Sequence, residues 1–262
     1  MLTDLDPRVS AHVNAHAVLG AIPALVDLAP DAQALLNGLR APVVLRVVAR
    51  GGPSLTLTFR ADGVAPGADA AAQARRARRV TLLTVSPEHL NGVVAGTAQP
   101  VPIGSPAGLG FLTRVFVPMS ALLARYLRPT PDDLADPAFA RASTLLTLTV
   151  AVAAIAVVGN EDRSGRYSAA HMADGAVDLE VGDELRYRLV ARDHHLVVDP
   201  SPTGPPRAAL RFADLGVAGD VLTGRSSAMA CICDGSLAMR GYIPLVDNVS
   251  RILDRAGHYL GE

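Results

Sequence analysis

Seven short stretches of the chain are strand-like, and several of them alternate apolar with polar residues. That alternation predicts a sheet with one buried face and one wet face. The stretches are VVLRVV at 43–48, LTLTFR at 55–60, VTLLTV at 80–85, VDLEV at 177–181, LRYRLV at 185–190, HLVV at 195–198 and ALRF at 209–212.

Helical patterns surround these strands in the same order in both halves. A long apolar stretch comes first, at 16–28 (with Pro23 as a predicted kink) and at 144–158. After the strands, a short helix ends in glycine in each half, at 87–96 and 214–224. An amphipathic helix closes each half. Its apolar face is formed by Met119, Leu122, Leu123, Tyr126 and Leu127 in one half, and by Val246, Val249, Ile252, Leu253 and Ala256 in the other.

The shared order predicts an internal duplication. The motif Gly-Ser-x-Ala-x-x-Gly also occurs twice, at 104–110 and at 235–241. Between the halves, residues 129–137 are rich in proline and aspartate, as expected of a linker. We therefore expect a first repeat at 1–128 and a second at 138–262. The predicted fold class is α+β, with two similar repeats, each a mostly antiparallel twisted sheet covered on one face by helices.

The segment 142–159 contains 18 residues without a charge, which is the lower limit for crossing a membrane. It contains serine and threonines and lacks both an aromatic belt and a flanking cationic cluster. We expect a buried helix of a soluble protein, with a buried strand or a membrane segment as alternatives. Stable membrane insertion is not expected.

Composition excludes several function classes. The net charge is −1, and aromatic residues make up 4% of the chain, so nothing favours binding to nucleic acid. All basic residues apart from histidine are arginines. Without lysine, Schiff-base enzymes and standard P-loop nucleotide hydrolases are excluded. The arginine-only bias, with abundant alanine, glycine, proline and valine, also suggests a bacterial source.

The two cysteines, Cys231 and Cys233, are too far apart for a disulfide if they lie on one strand. We expect reduced thiols that act as small buried apolar side chains, in a reducing compartment. The N-terminal residues lack the basic start and apolar run of a signal peptide. The predicted location is the cytoplasm.

Two stretches of the second half carry a family resemblance: FADLGVAGDVLTG at 212–224, followed by SSAMA at 226–230, and DGSLAMRG at 234–241. They match a helix that ends in Leu-x-Gly, a turn of small residues, and a final strand of the form Gly-x-Leu-x-x-x-Gly before a C-terminal helix. On these residues, roughly the last 85 positions resemble the sterol carrier protein (type two) family. The first half follows the same order more loosely.

The resemblance implies a tunnel between sheet and helices that holds an acyl chain, a sterol or a similar molecule. By pattern, its lining would come from eight apolar residues, each of which has an ordinary core position as its alternative. They are Val221, Leu222, Met229, Ile232, Leu237, Met239, Ile243 and Leu245. No cofactor is expected.

Four polar clusters have weaker functional interpretations. The arginines of RRARR at 75–79 are expected at a solvated helix end, with an anionic head group as the alternative. His194 and His195 resemble part of a metal or acid–base site, but neighbouring strand residues point to opposite faces and cannot easily share one site, so we expect a hairpin turn there. His12 and His16 share a helix face but lack a third ligand, so we expect a polar stripe and no metal site. The pair Cys231 and Cys233 lacks the second thiol pair of a zinc site.

The expected function is therefore binding or carriage of a hydrophobic small molecule in an apolar cavity. One alternative is an enzyme of the cyclase or isomerase type that uses the same cavity. Its candidate polar groups would be His12, His16, His194, His195, Asp199, Asp234 and Tyr242. A second alternative is a homodimer whose interface has replaced the cavities.

Overall fold

The computed structural model describes residues 5–68, 77–183, 185–222 and 225–261. It contains two compact units. One comprises Ser10–Leu146, and the other comprises Thr147–Glu262 together with the N-terminal residues up to Val9. The boundary falls inside a long helix, Pro137–Glu161. The repeat boundaries expected from the sequence remain a prediction.

The described elements of the first unit alternate between helices and strands. In chain order they are α1 (Pro7–Leu28), α2 (Pro30–Ala34), β1 (Val43–Ala49), β2 (Ser54–Arg60), β3 (Gly63–Pro66), β4 (Arg78–Thr84), α3 (Pro87–Val94), β5 (Val101–Gly104), α4 (Pro106–Leu127), α5 (Pro131–Leu134) and α6 (Pro137–Glu161). The α1 run includes a π-helical segment at Val13–Val18 and a 3₁₀ turn at Leu19–Ala21, directly before the kink expected near Pro23.

The second unit repeats this alternation. After α6 come α7 (Arg163–Ala170), β6 (Gly175–Val181), β7 (Leu185–Arg192), β8 (His195–Asp199), β9 (Ala208–Phe212), α8 (Leu215–Leu222), α9 (Ala228–Asp234), β10 (Leu237–Gly241) and α10 (Ile243–Leu260). All seven predicted strands are present, although their ends differ by one or two residues.

Each unit contains one five-stranded sheet, and the two sheets have the same topology. The first has the order β3-β2-β1-β4-β5, and the second, read from its other edge, β8-β7-β6-β9-β10. The pairs β1 with β4 and β6 with β9 are parallel, and the remaining pairs are antiparallel. The expected fold class, α+β with two mostly antiparallel sheets, is confirmed.

The shared Gly-Ser motif is not a structural repeat. Gly104 is the last residue of β5, and the Ser105 hydroxyl then caps α4 by accepting the Gly108 N–H. Gly235, in contrast, ends α9 in a left-handed conformation, with φ of 82°, and Ser236 precedes β10. By its place at the end of the edge strand, Gly104 corresponds to Gly241.

One face of each sheet packs against helices. In the first unit, Phe59 of β2 meets Phe111 of α4, with ring centroids 5.0 Å apart. In the second, Leu196 of β8 lies so close to α6 that a Cβ on Gly159 would stand 2.4 Å from its Cδ1. The absence of a side chain at Gly159 therefore allows the helix to lie directly on the sheet.

The other face of the second sheet carries charged side chains. Asp178 of β6 is fully buried and makes a double hydrogen bond to Arg188 of β7, at 2.6 and 2.9 Å. The Arg188 guanidinium also donates to the carbonyls of Thr203 and Gly204. One arginine thus joins the sheet to the loop after β8.

Three helices are long and apolar enough to cross a membrane, by length and composition, within the described residues: α1, α4 and α6. The segment expected to be a buried helix, 142–159, lies in α6. Leu146, Leu148 and Ile155 of this helix are among the largest fully buried side chains. The described side chains of this helix are thus largely buried.

Candidate functional site

An exposed apolar surface lies at the edge of the second sheet. The edge strand β10 contacts both α9 and α10. Met229 of α9 is 68% exposed, Met239 of β10 is 40% exposed, and Ile243 of α10 is 46% exposed. Together with Ile232 of α9, which is half-buried, these residues are called the β10 apolar surface.

The short helix α9 turns its apolar stripe outward. Met229, Ile232 and Cys233 are spaced three and four residues apart and therefore share one helix face. Cys233 is exposed, whereas Cys231 is buried. The prediction that both cysteines are buried is thus wrong for Cys233, and the two lie on a helix, not on a strand. Both are free thiols.

The eight residues expected to contact a ligand differ in their exposure to solvent. Met229, Met239 and Ile243 are exposed, and Val221 and Ile232 are half-buried. Leu237 and Leu245 are buried in the core. Leu222 is the last residue of α8, and its side chain lies outside the described part of the structure.

The two adjacent histidines line one open, polar pocket of about 520 Å³, called here the basic pocket. Asp193 and His194 form the two-residue turn between β7 and β8, both with positive φ. The predicted hairpin turn is therefore confirmed. The pocket is lined by Gly159, Asn160, Arg163, Arg166, Tyr167, Ala170, Asp193, His194 and His195. Both histidines line this pocket, because His194 lies in the turn and not on a strand.

Asn160 fixes the geometry of this pocket. Its side-chain amide accepts from the Leu196 N–H at 2.9 Å and donates to the Leu196 carbonyl at 2.8 Å. These two bonds determine which amide atom is nitrogen. The same nitrogen lies 3.3 Å from Nε2 of His195. An amide nitrogen can only donate, so this contact gives Nε2 of His195 the acceptor role.

The remaining candidate catalytic groups are engaged separately. The Asp199 carboxylate accepts the Ser201 N–H at 3.0 Å, and Asp234 accepts from both the N–H and the hydroxyl of Ser236. The Tyr242 ring lies under the guanidinium of Arg207, 4.6 Å from its centre. Neither Asp199, Asp234 nor Tyr242 lines the basic pocket.

His12 and His16 lie on α1 in the first unit, with ring centroids 5.8 Å apart. His12 is half-buried and His16 is exposed. Across residues 5–68, 77–183, 185–222 and 225–261, no group of three or more His, Cys, Asp or Glu side chains is placed to hold a metal. Whether the pair has a role beyond a polar helix face remains an open prediction.

The arginine cluster is only partly described. Arg75 and Arg76 lie outside the described residues, whereas Arg78 and Arg79 are exposed and belong to β4. The expected solvated helix end is therefore wrong for these two residues, which begin a strand.

Sequence comparison identifies no relative. No protein-family model matches the chain, and no curated protein matches it either.

Two solved structures are similar to part of the chain. One is a ubiquinone synthesis protein described as UbiJ-SCP2, with 18% identity and a TM-score of 0.33 over 43% of this chain and 96% of that chain. The other is a conserved hypothetical protein of Thermus thermophilus, described as a candidate sterol carrier protein, with 15% identity and a TM-score of 0.31. It aligns with 42% of this chain and 85% of its own length.

Proposed function

We propose that the chain binds a hydrophobic small molecule, of acyl, sterol, isoprenoid or polyketide type, at the β10 apolar surface. The observation that carries the proposal is the exposure of Met229, Met239 and Ile243, three large apolar side chains contributed by three neighbouring elements. Single exposed apolar residues are ordinary, but such a group on adjoining elements is typical of a binding site.

The free energy available at such a surface is sufficient for binding. Removing apolar surface from water contributes roughly 25 cal/mol per Å², so a ligand that buries about 300 Å² gains several kcal/mol before association costs. Methionine suits this role, because its unbranched, polarisable side chain adapts to ligands of different shape. The surface therefore favours a ligand class defined by size and apolarity.

The position of Met239 supports a site that extends towards the helices. Met239 pairs with Leu210 of β9 in the antiparallel register, so the two side chains share a sheet face with Leu237. Leu237 and Leu210 are buried. Met239 thus lies on the sheet face that the helices cover, but in the edge strand, where a ligand can reach it. The family resemblance likewise implies a ligand between the sheet and the helices.

Replacing Met239 with glutamate should weaken binding of a fluorescent fatty-acid analogue about tenfold or more, because the new carboxylate must lose water when the ligand covers it. Fluorescence titration of the full chain measures the dissociation constant. The matched control is Val197→Glu. Val197 is an equally apolar residue of the same unit, 53% exposed, on the opposite sheet face.

Native mass spectrometry of the purified protein supplies an independent check, since a bound lipid adds a defined mass. A wild-type chain that binds no fatty acid, sterol or isoprenoid contradicts the proposal. Equal loss of affinity in the Met239 and Val197 variants also contradicts it, because it would place the ligand elsewhere.

A further inference from the structure

The basic pocket contains two arginines whose charges are not neutralised. Arg163 and Arg166 of α7 both line it and are exposed, and no described carboxylate forms an ion pair with either guanidinium. Asp162, next to them in sequence, is buried and bonded instead to Arg255 and Tyr259. The pocket therefore has an excess of positive charge at short range.

The position of these arginines in their helix increases the effect. α7 begins at Arg163, with Asp162 as its N-cap, so both guanidiniums project from the first turn or just beyond it. The N-terminal end of a helix carries partial positive charge and normally attracts acidic side chains. The Asp162 carboxylate already caps two N–H groups at this end, but it is shared with Arg255 and Tyr259. Two further arginines at this end are therefore unfavourably placed, and a bound anion would offset their charge.

Neighbouring groups add hydrogen-bonding capacity beside the arginines. Asn160, His194 and His195 line the pocket together with the arginines. Asp193 and His194 have positive φ as the two residues of the β7–β8 turn, which is the usual geometry of such a loop. The pocket thus combines two cations of α7 with polar residues of a separate hairpin.

We infer that the basic pocket binds an organic phosphate ester. A phosphate suits paired guanidiniums, which donate in a fixed fork to its oxygens. A volume of about 520 Å³ leaves room for an organic group beyond the phosphate. The Asp193 carboxylate, which also lines the pocket, disfavours a bare anion but accepts hydroxyl groups, so the organic part is expected to carry hydroxyls.

Glycerol 3-phosphate tests this inference, because it is a small phosphate ester with two free hydroxyls, and the same glycerol phosphate group forms the head group of phosphatidylglycerol. In isothermal titration calorimetry, the full chain should bind it, and Arg163→Ala/Arg166→Ala should weaken binding about 100-fold, or about tenfold for each guanidinium. Arg163→Lys/Arg166→Lys keeps both charges but loses the fork, and should restore part of the affinity.

Vesicles distinguish the two sources of the phosphate. Flotation is compared for phosphatidylcholine vesicles with and without phosphatidylglycerol. Binding to free glycerol 3-phosphate alone identifies a soluble ester. Binding to vesicles that requires both phosphatidylglycerol and the two arginines identifies a head group. Either pattern supports the pocket.

The control Arg225→Ala/Arg251→Ala removes the same total charge from two exposed arginines that pair with Asp220 and Asp247, outside the pocket. The affinity of this control variant for glycerol 3-phosphate should equal that of the wild type. If the wild-type chain binds neither probe, or if this control loses as much affinity as the pocket variant, the inference is overturned. Circular dichroism of each variant confirms that the comparison is made between folded proteins.

Discussion

Replacing Asp178 with alanine should lower the free energy of unfolding by about 3–5 kcal/mol, because it leaves a buried guanidinium without its counter-charge. The Asp178 side chain is 0% exposed and that of Arg188 only 4% exposed. The hydrogen bond to Asp178 is the main reason that the pKa of Arg188 is raised above its ordinary value. The variant loses this bond, but a guanidinium keeps its proton in proteins, so an uncompensated charge stays buried. Urea unfolding followed by circular dichroism measures the loss.

The double replacement Asp178→Leu/Arg188→Met tests whether the instability of Asp178→Ala comes from the unpaired charge of Arg188. Removing both charges avoids the uncompensated ion, so this variant should be much closer to the wild type than Asp178→Ala. Some loss of stability is still expected in the double variant, because the Thr203 and Gly204 carbonyls lose the donor that Arg188 supplies. A double variant as unstable as the single one would show that the ion pair is not what holds these strands.

Asp162→Ala should cost about 3 kcal/mol, since one buried carboxylate serves two purposes. One oxygen caps α7 by accepting the N–H groups of Ser164 and Gly165, at 2.8 and 3.0 Å. The other accepts from the Tyr259 hydroxyl at 2.6 Å and from Arg255 at 3.1 Å. Thermal unfolding measures the loss. The control is Asp247→Ala, whose exposed i,i+4 pair should contribute little.

The contribution of Asp162 should also depend on pH. Burial alone raises the pKa of this carboxyl, but hydrogen bonds from Arg255, Tyr259 and the Gly165 N–H outweigh it and hold the pKa below 3.8. The stabilisation is therefore complete above the unfolded-state pKa and is lost as the pH falls through the lower folded-state value. The stability difference between wild type and Asp162→Ala should narrow in acid. A difference that stays constant down to about pH 2 would contradict this assignment.

Much of the fold could be predicted from the sequence, because most strands have one buried face. Their alternation identifies β1, β2, β4 and β6 to β9 directly. The strands β3 and β5 were missed because each has only four residues, including a glycine and a proline, which are rare in strands except at sheet edges. Both are edge strands here.

The pocket residues were harder to predict than the apolar surface. Met229, Met239 and Ile243 follow from their apolar character and from the family resemblance. Arg163 and Arg166 come from a different part of the chain than the histidines, and only folding brings α7 beside the β7–β8 turn. A signal was nevertheless present. Arg163 directly follows the N-cap aspartate and Arg166 comes three residues later, which runs against the usual charge preference of a helix start.

The exposure of α9 and β10 to solvent has a chemical consequence for the protein. Met229 and Met239 are open to peroxide, which converts a thioether to a sulfoxide, and Cys233 is open to the oxidation of its thiol. Each reaction places a polar oxygen on a surface that depends on apolar character. Oxidative damage would therefore act first on the proposed ligand site and leave the buried Cys231 and the sheet core intact.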